Sequence, residues 1–115
     1  MERAQRLRKG DQFDTAYREG TVIGGPLLVV RYRANSLDVT RWGFAVGKRL
    51  AKHAVDRNRL KRRLREAVAR IQVLPGADVI VTARAGALTA EFADLQTNIE
   101  RALGRAELLV DSETP

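Results

Sequence analysis

Apolar and polar positions change period several times along this chain, and each change marks an element. From Asp11 onward, in DQFDTAYREG, Phe13 and Tyr17 stand four apart. That spacing predicts a short helix with Asp11 as N-cap and Gly20 just past its end. Gly24-Gly25-Pro26 then breaks the chain, and Leu27 to Arg33 reads as a strand. Alternation puts Leu28, Val30 and Tyr32 on one face and Val29, Arg31 and Arg33 on the other. Asn35-Ser36-Leu37-Asp38 is turn chemistry before a second strand, Arg41 to Gly47, so the two strands are expected to pair as an antiparallel hairpin.

Leu60, Leu64, Ala67, Val68 and Ile71 recur at helical spacing and predict an amphipathic helix from Val55 to Ile71. Leu74-Pro75-Gly76 stops it. Ala77 to Ala83 (ADVIVTA) is a nearly continuous apolar run suited to a central strand. Phe92, Leu95, Ile99, Ala102 and Leu103 then predict a last helix over Ala90 to Leu103, with Gly104 as its cap. The fold class is α+β, in the order α-β-β-α-β-α, with helices layered on a small mixed sheet. A length of 115 residues fits one domain, 1–115, whose basic residues 1–9 and acidic residues 111–115 are expected to be flexible ends.

Charge changes this picture most at the fourth element. Between Arg41 and Arg70 there are eleven Lys and Arg against two acids, a local net of +9; the other residues net −2. A solvated face carries mixed signs, whereas a block this one-sided is built to meet a polyanion. At about 100° per residue, Arg57, Asn58, Lys61, Arg62 and Arg65 gather on one flank of the apolar stripe. Arg59, Arg63 and Arg70 lie on the other with Glu66.

A pI near 10.8 points the same way, toward nucleic acid. A membrane surface fits poorly, because the basic helix has no Trp or Phe to sink into lipid. Neither a spanning apolar run nor a signal segment is present, so a cytoplasmic location is expected. DNA reading by a helix-turn-helix is disfavoured, since the basic helix leads into a stop signal and a strand. Zero cysteines remove disulfides, thiolate nucleophiles and cysteine zinc sites.

No converging carboxylates or histidines are evident, so no catalytic and no metal-binding residue is assigned. His53, the single histidine, reads as a surface or RNA-contacting residue, and Asp11 and Asp14 as helix-start residues. There is no GxxxxGK[ST] and no GxGxxG, so a nucleotide cofactor is not implied.

Arg57-Asn58-Arg59, followed by Lys61-Arg62 and Arg65-Glu66 and preceded by Gly43-Phe44-Ala45-Val46-Gly47-Lys48-Arg49, resembles the RNR signature of the bacterial ribonuclease P protein subunit. Asp11, Phe13 and Gly20, with Tyr17, are similar to that family's opening. The resemblance spans roughly Leu7 to Leu103. It implies a left-handed β-α-β crossover, where a right-handed one is the norm. It also implies a protein whose partners are a catalytic ribonuclease P RNA and precursor tRNA. There the RNA, with magnesium, hydrolyses the phosphodiester bond that joins the 5′ leader to tRNA.

Carried onto this chain, the resemblance implies leader binding by Phe13, Tyr17, Arg31, Lys61 and Arg65. It implies RNA-subunit binding by Lys48, Arg49, Lys52, Arg57, Asn58, Arg59, Arg62 and Arg63. Leu60 and Leu64 are assigned to the core. One departure stands out: where the family often has a third aromatic on its first long strand, this chain has Arg31, with Tyr32 adjacent. The competing reading is a structural or ribosome-associated RNA-binding protein, which would share the basic helix without needing the Phe13 and Tyr17 cleft.

Overall fold

The computed structural model describes residues 3–8 and 10–110; the expectations for flexible ends at 1, 2, 9 and 111–115 lie outside the described residues. Three helices, α1 (Asp11–Glu19), α2 (Ala54–Ala69) and α3 (Phe92–Arg105), pack on four strands, β1 (Thr21–Gly24), β2 (Leu28–Ala34), β3 (Arg41–Ala45) and β4 (Ala77–Ala83). The α+β class and the three helices agree with the sequence reading. The sheet does not agree throughout.

Its order is β1-β2-β4-β3, with β2 antiparallel and β3 parallel to β4. The expected hairpin between β2 and β3 is therefore wrong, because β4 lies between them. Five of the seven β4 residues are apolar, and Ala77 and Val79 to Val81 are at most 3% exposed. At the rim, such a strand would leave a row of unpaired N–H and C=O groups beside apolar side chains. Placed centrally, it pairs along both edges. The β2 to β3 connection crosses the start of β4 and is held there: Asn35 N donates to Gly76 O at 2.9 Å, and Thr40 Oγ1 to Leu74 O at 2.7 Å.

The strand β1 was missed, since TVIG is too short to show a period; it pairs antiparallel with β2 from Thr21 against Tyr32 to Gly24 against Val29. The N-cap of α1 is Gly10, one residue before the expected Asp11. Asp11 and Asp14 instead occupy the first turn, where a carboxylate is favoured by the helix dipole. Gly20 does end the helix, and a Cβ there would lie 2.5 Å from Ala16 O, which only glycine avoids. Gly104 is inside α3 rather than its cap; Ala106 caps the helix, and Glu107 takes the left-handed turn at φ 60°.

Opposite faces of the sheet do different work. Leu28, Val30, Val79 and Val81 face α2 and α3, whose Leu60, Leu64, Leu95, Ile99 and Leu103 complete the core; Leu60 and Leu64 are buried as expected. The other face carries three cross-strand rows fixed by the register: Arg33-Asp78-Arg41, Arg31-Ile80-Gly43 and Val29-Thr82-Ala45. Helix α1 packs against β2 and β4 on this second face. The outer edge of β3 is paired too: Leu7 N donates to Trp42 O at 2.9 Å, and Arg6 bridges Trp42 in parallel.

The first row holds the fold's buried ion pair. Arg41 Nε and Nη2 donate to Asp78 Oδ1 and Oδ2 at 2.7 and 2.8 Å, and Asn35 Nδ2 donates to Oδ1 at 2.9 Å. Burial pushes the Asp78 carboxyl up, but hydrogen bonds from Arg41 and Asn35 and the charges of Arg41 and Arg33 more than offset it. The carboxyl is held below its ordinary value. Arg41 is correspondingly raised by its hydrogen bond to Asp78. Arg33 extends the row to α1 through Glu19 at 2.8 Å.

A carboxyl depressed in the folded state adds stability above its unfolded pKa, and that stability is lost as pH falls through the folded value. Asp78→Ala is expected to lower unfolding stability by about 3 to 5 kcal/mol at neutral pH, because it strands a largely buried guanidinium. In urea titrations the gap between wild type and variant should narrow as pH drops below about 4. A gap independent of pH would show that Asp78 acts through packing alone.

Candidate nucleic-acid interface

Helix α1 lies across the strands rather than along them, and one sheet row shows how. Tyr17 stands over β2, where the Arg31 guanidinium carbon is 4.1 Å from its ring centroid. Fully buried Ala16 and Ile80 occupy the middle. Phe13 stands over β3, so close that a Cβ on Gly43 would sit 2.8 Å from its ring. Three residues of one row, Arg31, Ile80 and Gly43, thus set both aromatics on the sheet. They lie two strand spacings apart, roughly 9 to 10 Å.

Beyond Phe13 the groove runs along the outer side of β3 toward α2. Two adjoining hollows, of about 310 and 400 Å³, share Phe13, Phe44 and Lys61, and the first is also lined by Leu7 and Arg65. Lys61 and Arg65 are half-buried there, with their charges at the groove. All five residues assigned to leader binding therefore fall in two linked clusters, Tyr17 with Arg31 and Phe13 with Lys61 and Arg65. Arg31 does not form a separate third platform; it extends the Tyr17 platform on one face. Tyr17 remains 47% exposed, so its ring is open to a base.

Next to this row, Val29, Thr82 and Ala45 form a half-buried floor of small side chains. Thr82 Oγ1 is buried in that floor without a hydrogen-bond partner. Sequence reasoning missed Leu7, Phe44 and Thr82 as groove residues. The alternation within β4 would have put Thr82 on the face of Ile80, but nothing local tells which face is the open one.

The eight residues assigned to the RNA subunit divide by what their side chains do. Arg57 Nη1 donates to Ala51 O and Lys52 O, both at 2.9 Å, which fixes the turn leading into α2. Arg63 Nη2 donates to Ala90 O at 2.8 Å and ties α2 to the segment before α3. Lys48, Arg49, Lys52, Asn58, Arg59 and Arg62 are exposed. Arg49, Lys52, Arg59 and Arg63 line a third hollow, of about 540 Å³, at the start of α2.

On the same helix, Arg70 pairs with Glu66 at 3.0 Å and lies over the Phe92 ring at 4.6 Å. Of the eleven cations in the basic block, Arg41, Arg57, Arg63 and Arg70 are thus engaged within the protein. The other seven make no ion pair or side-chain hydrogen bond among the described residues and are available to phosphates. They flank both sides of α2: Lys61 and Arg65 toward the groove, Arg49, Lys52 and Arg59 toward the third hollow. Among the described residues no group of three His, Asp or Glu is placed to hold a metal ion, and no helix is long and apolar enough to cross a membrane.

The Ribonuclease P family model matches residues 1–107. The chain is 40% identical to the ribonuclease P protein component of Roseiflexus castenholzii, over all of this chain and 98% of that one. It is 35% identical to that of Dehalococcoides mccartyi strain CBDB1, over 95% and 90%. Among solved structures it is similar to Staphylococcus aureus RNase P protein, with TM-score 0.81, 32% identity and coverage of 94% and 100%. It is also similar to the RNase P protein from Thermotoga maritima, with TM-score 0.77, 29% identity and coverage of 87% and 96%.

The different engagement of Arg57 and Arg59 yields a measurable contrast. Arg57→Ala removes two hydrogen bonds to loop carbonyls and is expected to lower unfolding stability by about 1 to 3 kcal/mol. Arg59→Ala should stay within about 0.5 kcal/mol of wild type. Urea denaturation of the two variants checks this, and equal stabilities would mean that Arg57 does not hold the turn.

Proposed function

This chain belongs to the ribonuclease P protein family, and we propose that it acts as the protein subunit of the ribonucleoprotein that matures tRNA 5′ ends. In this reading it binds two RNAs on two surfaces. The exposed cations around α2 hold the catalytic RNA, and the groove from Tyr17 to Arg65 holds the leader of precursor tRNA. Magnesium, held by the RNA subunit, supplies the hydrolytic chemistry; the side chains of this protein bind and orient.

The observation that carries the reading is the pairing of each ring with cations, Tyr17 with Arg31 and Phe13 with Lys61 and Arg65. A phosphate strip alone needs no aromatic residues, and a core needs no half-buried lysine. Phe13 and Tyr17 offer π-faces that any base can stack on, worth about 1 to 3 kcal/mol per base. Arg31, Lys61 and Arg65 stand beside them to meet the backbone or base edges of a single strand. Mature tRNA has no leader to fill this groove, so the same contacts favour binding of precursor over product.

The seven unengaged cations also set the salt response. Neutralising about six phosphates gives a log affinity against log salt slope of roughly −4 to −5.

The deciding experiment measures cleavage of a labelled precursor tRNA at low magnesium, with a bacterial ribonuclease P RNA alone, this protein alone, and both together. Cleavage is expected only from the combination. Phe13→Ala with Tyr17→Ala should weaken precursor binding by tenfold or more, at about 1 to 3 kcal/mol per lost stack, while leaving mature tRNA binding unchanged. Tight RNA binding that never restores cleavage would assign the chain to structural RNA binding instead.

A further inference from the structure

Resting on that reading, we infer that the 540 Å³ hollow at the start of α2 is an insertion site for one unpaired nucleotide of the RNA subunit, turned out of its stack. A surface that only follows a phosphate backbone needs exposed cations and no depth. This hollow has the volume to take a base, within the about 300 to 1,000 Å³ typical of small-molecule pockets. Its wall is apolar at Leu50, Leu60 and Leu88, and Leu88 is left 37% exposed although its neighbour Ala87 is buried. Arg49, Lys52 and Arg59 stand on the rim without ion pairs among the described residues.

The lining also contains groups that a bare phosphate would not select. Asp56 faces the hollow and makes no ion pair among the described residues; a carboxylate repels a phosphate but accepts an N–H from a base edge. The ring of exposed His53 adds a surface on which a base can stack. An inserted base would meet the leucines and His53, with Asp56 at its edge and its flanking phosphates on the rim cations. Unstacked, splayed nucleotides are the usual object of sequence-specific RNA recognition.

The two engaged arginines of the motif explain why such a hollow stays open. Arg57 fixes residues 51 and 52 on one side, and on the other Arg63, itself in the lining, is tied to residue 90, two positions past Leu88. Both walls are braced before any RNA arrives, so little ordering is left for the binding step.

The test uses the whole chain and a bacterial ribonuclease P RNA with 2-aminopurine placed singly at its unpaired positions. Binding is followed by fluorescence and filter retention across a salt series at pH 8. One position is expected to change its fluorescence on binding. Leu88→Phe, which fills the hollow without altering charge, should abolish that change and weaken binding about tenfold while leaving the salt slope as it is. Should that variant lose its cooperative unfolding, His53→Ala takes its place, since His53 makes no side-chain cap hydrogen bond. It should weaken binding about fivefold or more with the same slope.

The inference is overturned if no unpaired position responds, or if the folded variant binds as the wild type does. Failure of the wild-type chain to retain the RNA would instead sink the function on which the inference rests.

Discussion

The pairing of β4 along both edges constrains everything else in this molecule. Its partner β3 runs parallel to it, and two adjacent parallel strands cannot be joined by a tight turn. A crossover is required, and α2 is that crossover. The basic helix is therefore where it is because a central apolar strand had to be reached from its parallel neighbour. Its apolar stripe faces the core under β4, which leaves its two flanks to solvent on either side. The electrostatic surface is thus a by-product of topology as much as of composition.

Much of this was legible from periodicity. Each helix announced itself by spacing, and β4 by its unbroken apolar run, because these signals are local and repeat over several turns or pleats. The β2 to β3 hairpin failed for the opposite reason: strand order depends on which edges compete for the most apolar strand, and that strand lies 37 residues beyond its partners in β3 and 43 to 55 beyond those in β2. The Arg41 to Asp78 pair belongs to the same class. In the sequence Arg41 is one more cation in a basic block, and only the register between β3 and β4 shows that its charge is already matched.

At the candidate interface, the motif identified the family and the helix that presents the cations. It did not distinguish an arginine that faces solvent from one that holds a loop. Arg57 and Arg59 are two residues apart and look alike in sequence, yet one donates to backbone carbonyls and the other stands at the rim of a hollow. The difference depends on where the preceding turn folds back, which no helical wheel contains. Likewise the placement of Arg31 against Tyr17 required the crossing angle of α1, fixed by Gly20 at one end and by the contact of Phe13 with Gly43 at the other.

The docking of Arg6 and Leu7 on Trp42 has a consequence for the life of the molecule outside its complex. A sheet rim is a template on which another chain can add a strand. Here the segment before α1 occupies the β3 rim, and the rim at the other side is only the four residues of β1, ending in glycine. Unmatched like charges repel one another across two copies of a protein until a polyanion neutralises them. Once that repulsion is cancelled, shielding of the strand edges has to come from within the chain, and this short N-terminal stretch supplies it.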